Sequence, residues 1–168
     1  KVLTFGEIML RLKTPEYLRI VQADGFEASY GGAESNVAVS LASFGDAAAF
    51  VTKLPENPVG EAALNELRRY GVDTSLILKG GPRLGIYYFE KGTNIRPTNV
   101  VYDRAGSSIS VADSSEFDWE KLLSGIGRLA CQYGRPVIAL AGSVGPGSDQ
   151  LLKRGIQAVF PIADGPIT

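Results

Sequence analysis

Histidine is absent from this 168-residue sequence, and cysteine, methionine and tryptophan occur once each. Without imidazole, Ser-His-Asp hydrolysis, Cys-His proteolysis and histidine-based zinc sites all lose an essential group. Acid-base chemistry is left to carboxylates, lysine and tyrosine. A lone Cys131 can form neither an intrachain disulfide nor a cysteine cage, and it reads as a small buried hydrophobe. Charge is also lacking: 17 Lys and Arg against 18 Asp and Glu leave a net −1, which gives no electrostatic reason to expect nucleic acid or an anionic membrane. No apolar run approaches the roughly 20 residues that span a bilayer, and no secretory leader pattern opens the chain. These absences predict a cytoplasmic protein whose partner is a small molecule or a second copy of itself.

The residues present, 45% hydrophobic with 20 glycines, suit one domain or two small ones. Residues 2–10 read as a strand buried on both faces, interrupted by Glu7. Residues 18–21 and 26–30 read as small strands outside the main sheet. Val37, Leu41 and Phe44 recur at helical spacing after Gly31-Gly32 and before Gly45, which predicts a helix over 33–44 with those side chains on its apolar face. A strand over 48–53 follows. Asn57-Pro58 then supplies an N-cap and a first-turn proline for a second helix ending at Gly71. Residues 85–90 and 98–104 read as two further strands. From Trp119 to Tyr133 apolar residues share a helical face that Gly125 and Gly127 interrupt, so one kinked helix and two short ones are both open. A strand over 137–141, a 142–147 glycine loop, a short helix near 149–154 and a strand near 158–162 complete a βαβ unit. Alternating strands and helices argue for a parallel α/β sheet.

The stretch Tyr30-Gly31-Gly32-Ala33-Glu34-Ser35-Asn36 carries the most chemistry. Two glycines and an early-helix asparagine place bare amides and a carboxamide at one helix N-terminus, a corner suited to hydroxyls or an anion. A tight turn with Asn36 solvated is the alternative. The 142–147 loop has neither the Lys-Ser/Thr of a Walker A loop nor the dinucleotide spacing, and reads as a βα turn.

Gly31-Gly32-Ala33-Glu34-Ser35-Asn36-Val37-Ala38 resembles the N-terminal signature of the PfkB (ribokinase-like) sugar kinases. Gly6-Glu7 before it, and Lys53-Leu54-Pro55-Glu56-Asn57-Pro58-Val59-Gly60 and Gly71-Val72-Asp73-Thr74 after it, stand in family order. Gly85-Ile86-Tyr87, Tyr102-Asp103-Arg104-Ala105-Gly106-Ser107 and Asp118-Trp119-Glu120-Lys121 are similar to the 2-keto-3-deoxygluconate kinases within it. The resemblance implies a mainly parallel, ribokinase-like (Rossmann-type) sheet with flanking helices and a small β lid, incomplete here. It implies that Gly31, Gly32 and Asn36 hold sugar hydroxyls and that Tyr87, Tyr102 and Arg104 come from lid strands. Arg104 would meet a sugar-acid carboxylate bidentately; sheet-surface aromatics and a solvated charge are the plain alternatives for these three. ATP and Mg are the co-substrates the resemblance implies.

This similarity runs over residues 1–122 and stops before the family's Gly-Ala-Gly-Asp-type motif, which carries the catalytic Asp and an anion hole. No catalytic residue and no metal or nucleotide site can be assigned, so the chain is expected not to phosphorylate a sugar by itself. Residues 123–168 instead resemble a late segment of the glycerate kinase family, through Tyr133-Gly134-Arg135-Pro136-Val137-Ile138 and Gly155-Ile156-Gln157-Ala158-Val159-Phe160. The chain thus looks like a join of two kinase fragments near residues 121–125. Three readings follow: a sugar-acid kinase lineage with a residual substrate corner, a non-catalytic module that dimerises through its lid strands, and a glycerate kinase fragment. Asp103, Asp113, Asp118, Asp149 and Asp164 are candidates for an improvised base, each equally well explained as a cap or turn.

Overall fold

The computed structural model describes residues 2–119, 121–122, 130, 132–141 and 156–161. The chain divides into two compact units, Lys1–Ser114 and Ser115–Thr168.

The first unit opens with β1 (Val2–Phe5) and β2 (Met9–Lys13), which belong to different sheets. This corrects the expectation of one strand over residues 2–10. Gly6 N–H donates to the Val51 carbonyl at 3.2 Å as the last ladder bond of the first sheet, and Leu10 N–H donates to Gly85 at 2.9 Å in the second. Between them Ile8 enters the core and Glu7 is buried. Nor is β1 buried on both faces, since Val2 and Phe5 are exposed.

β1 pairs in parallel with β4 (Ala48–Val51), and β5 (Lys53–Leu54) pairs in parallel with β6 (Leu78–Lys79). Helix α1 (Ala33–Ser43) lies against β1 and β4, and α2 (Pro58–Arg69) against β5. α2 forms as its sequence predicts. The Asn57 side chain caps it by accepting from Gly60 N–H at 2.9 Å, Pro58 occupies the first turn, and Gly71 follows it at φ +79°. Its buried stripe of Ala63, Leu64 and Leu67 meets Phe50, Leu54, Val72 and Leu84 in one hydrophobic cluster.

α1 differs from expectation in its orientation. Val37 is 50% and Phe44 82% exposed, while Ser35 and Ala38 are buried and Val39, Leu41 and Ala42 pack against the core at its edge. Of the expected apolar stripe only Leu41 turns toward the core, while Val37 and Phe44 are exposed.

A four-stranded sheet in the order β3-β2-β7-β8 forms the remainder of this unit, from β2, β3 (Glu27–Gly31), β7 (Ile86–Glu90) and β8 (Asn99–Asp103). β2 runs parallel to β7, while β2–β3 and β7–β8 are antiparallel. Residues 26–30 thus include a strand, as expected, but the segment near 18–21 contributes a 3-10 turn at Ile20–Gln22 instead. Its Ile20 N–H donates to buried Glu90 at 3.1 Å, a side-chain bond that replaces a strand ladder.

In the second unit β9 (Ile138–Ala141) and β10 (Ala158–Pro161) pair in parallel. The Asp118 carboxylate accepts from Lys121 N–H at 2.8 Å, the geometry of a helix cap. Cys131, most of the 119–133 helix, the 142–147 loop and the 149–154 helix lie outside the described residues. No helix among the described residues is long and apolar enough to cross a membrane.

Candidate functional site

Strand register builds the site. Met9 pairs with Gly31, Arg11 with Ser29 and Tyr87, Tyr87 with Tyr102, and Phe89 with Val100. Paired residues and residues two apart share a sheet face, so Met9, Arg11, Tyr87, Phe89, Val100 and Tyr102 form one surface. The N-terminus of α1 closes that surface at one end with Gly32, Ala33 and Asn36. Together these nine residues line a cavity of about 300 Å³.

The α1 terminus is shaped by close approach. A Cβ at Gly32 would overlap the Glu7 carbonyl oxygen, so only glycine lets the chain pass there. Gly32 is extended, at φ −178°, and caps α1 without a side-chain oxygen. Asn36 N–H donates to the Gly32 carbonyl at 2.8 Å, and Asn36 Oδ1 accepts weakly from Gly32 N–H at 3.5 Å. A Cβ at Gly31 would lie 3.4 Å from both Asn36 Oδ1 and Tyr87 Oη, so these two polar atoms converge on one point.

The Tyr87 and Tyr102 rings pack 5.9 Å apart at 35°. Burial raises the Tyr87 pKa, and the nearby Arg11 charge opposes that rise. Tyr87 is therefore a neutral hydroxyl near pH 7, able to donate and accept. Arg11 lies with its guanidinium carbon 4.2 Å from the Phe89 ring centroid, and its Nε is buried without a hydrogen-bond partner.

Of the residues singled out from sequence, Gly32, Asn36, Tyr87 and Tyr102 line this cavity, and Gly31 stands directly behind Asn36 and Tyr87. Arg104 does not line it. Its Nη2 lies 2.9 Å from Oε2 of buried Glu7. That approach is an ion pair without hydrogen-bond alignment, because neither Glu7 oxygen accepts a bond among the described residues. Sequence reasoning missed Met9, Arg11, Phe89 and Val100. Period-two alternation along β2, β7 and β8 is the signal that finds them.

Asp103 is held by Arg83, which donates to Oδ1 at 2.7 Å and Oδ2 at 2.9 Å. Asp118 caps its own turn, and Asp113 also has a partner. Asp149 and Asp164 lie outside the described residues. Among the described residues no three of His, Cys, Asp or Glu come together. They supply no ligand set for a divalent cation.

Residues 1–126 match the pfkB family of carbohydrate kinases. The chain belongs to that family. Residues 114–168 match the glycerate kinase family. A 2-dehydro-3-deoxygalactonokinase from Haloferax volcanii is 44% identical over 116 residues, 69% of this chain and 36% of the relative. A 2-dehydro-3-deoxygluconokinase from Bacillus subtilis is 31% identical over 68% of this chain and 36% of its own length. Among solved structures, 2-dehydro-3-deoxygluconokinase from Thermotoga maritima superposes with a TM-score of 0.74 at 45% identity, over 84% of this chain and 51% of that one. A PfkB family carbohydrate kinase from Listeria grayi gives 0.73 at 29% identity, over 90% and 55%. The ribokinase-like α/β fold follows from these likenesses. The chain spans about a third of the length of the curated relatives it matches and about half of the solved ones.

Proposed function

We propose that this pfkB-family chain binds a six-carbon 2-keto-3-deoxy sugar acid in the cavity between the four-stranded sheet and α1, as the substrate-holding part of a sugar-acid kinase. The observation that carries this reading is the convergence of Asn36, Tyr87 and Tyr102 with bare Gly32 on one cavity of about 300 Å³, the low end of the range for small-molecule sites. Carboxamide and phenol groups each both donate and accept, which is what a polyhydroxylated ligand requires. The 2-dehydro-3-deoxy sugar acids in the names of the relatives from Haloferax volcanii and Bacillus subtilis fit that chemistry.

In a kinase of this lineage ATP and a divalent cation supply the phosphoryl group and neutralise its charge. The sequence holds no Gly-Ala-Gly-Asp-type motif, so the chain alone binds the sugar acid without phosphorylating it. Amide chemical-shift mapping with 2-keto-3-deoxygluconate tests the reading. Shifts concentrated at Gly32, Ala33, Asn36, Tyr87 and Tyr102 support it; none, or shifts confined to the second unit, would sink it.

A second reading rests on β8. It is an edge strand with every residue exposed, including Val100 at 37%, Val101 at 46% and Tyr102 at 60%. Such an edge is a template for pairing, which favours a homodimer through the sheet. Sedimentation that stays monomeric at all concentrations would remove this reading.

A further inference from the structure

We infer that Arg11 is the group that takes the carboxylate of the ligand in this cavity, and so sets its preference for acids over neutral sugars. The inference rests on the sugar-acid reading above. Arg11 shares a rung of the sheet with Tyr87 and Tyr102, and all three line the cavity. Lys13, Arg83, Arg96 and Arg104 are each paired with a carboxylate, Glu27, Asp103, Glu90 and Glu7 respectively. Arg11 has no ion-pair partner among the described residues, and its Nε is buried with no acceptor. A cavity-lining guanidinium whose charge no carboxylate of the described residues offsets leaves the site short of an anion.

The geometry also restrains the guanidinium. Stacking over Phe89 at 4.2 Å limits its motion, so little rotamer freedom is lost when a ligand arrives. A planar guanidinium matches a carboxylate through two parallel N–H···O bonds, which a lysine cannot reproduce. The carboxylate would offset the charge of Arg11, leaving the hydroxylated chain of the ligand to Asn36 and the two tyrosines.

The test is calorimetric titration of the full chain, as wild type, Arg11→Gln and Arg11→Lys, with 2-keto-3-deoxygluconate and with its uncharged methyl ester. Arg11→Gln is expected to weaken the acid roughly 10- to 100-fold while moving the ester less than about twofold. Arg11→Lys keeps the stem and the charge but loses the fork. It is expected to give a smaller loss, again confined to the acid, and it decides the matter if the glutamine variant does not fold. Equal weakening of acid and ester would assign Arg11 a packing role and overturn the inference, as would an unchanged affinity for the acid. If the wild type binds neither ligand, the sugar-acid reading itself falls, and this inference with it.

Discussion

Glu7 and Arg104 meet at one end of the four-stranded sheet, Arg104 Nη2 lying 2.9 Å from Glu7 Oε2. Glu7 sits between β1 and β2, its carbonyl against Gly32 and its carboxylate against Gly85, while Arg104 directly follows β8. Four segments thus meet at one buried residue, two of them, at Gly85 and Arg104, at its carboxylate. Arg104 is half exposed, so removing it leaves Glu7 as a buried charge without its partner. A double-mutant cycle of Glu7→Gln and Arg104→Gln, read by denaturant unfolding, is expected to give a coupling of about 1–2 kcal/mol. Additivity within about 0.3 kcal/mol would show that the pair holds nothing together.

Gly32→Ala tests the close passage beneath α1. The added Cβ would overlap the Glu7 backbone, which cannot swing away as a side chain can. A loss of about 1–3 kcal/mol is expected. Gly25→Ala is the control, because nothing lies within 4 Å of its Cβ position, and it is expected to be neutral or slightly stabilising. Equal melting temperatures for the two variants would refute the steric account.

The Arg83–Asp103 clamp predicts a pH dependence. Hydrogen bonds from Arg83 hold the Asp103 carboxyl below the ordinary aspartate range. A carboxylate whose folded pKa is depressed contributes stability above its unfolded pKa and loses it as pH falls through the folded value. Wild type should therefore lose stability more steeply than Arg83→Gln below about pH 4. The carboxyl carbon of Asp103, followed by NMR, should titrate at higher pH in the variant. Identical titration curves would show that the clamp does not act in solution.

Much of this was legible in the sequence, and its failures have physical causes. Asn57-Pro58 and Gly71 delimit α2 because caps are local chemistry, and Gly31-Gly32 with Asn36 marks the site because glycines record a close approach. The face of α1 differs from its sequence reading because size marks Val37, Leu41 and Phe44, whereas the packed face runs through Ser35, Ala38, Leu41 and Ala42 and leaves Val37 and Phe44 exposed. Arg11 was missed for a related reason. Joining residues 2–10 into one strand placed Arg11 beyond its end, and only the change of sheet after Glu7 gives it a register partner in Tyr87. Family likeness places Arg104 at the ligand, and its pairing with Glu7 is a tertiary contact that no local pattern encodes.

The most direct test of the central claim is calorimetric titration of the purified, cooperatively folding chain with 2-keto-3-deoxygluconate, with Mg-ATP titrated in parallel. The account predicts saturable one-to-one binding of the sugar acid, lost on Asn36→Ala with Tyr87→Phe, and no heat from Mg-ATP. A folded chain that leaves the sugar acid unbound, or that takes up Mg-ATP in its place, would contradict it.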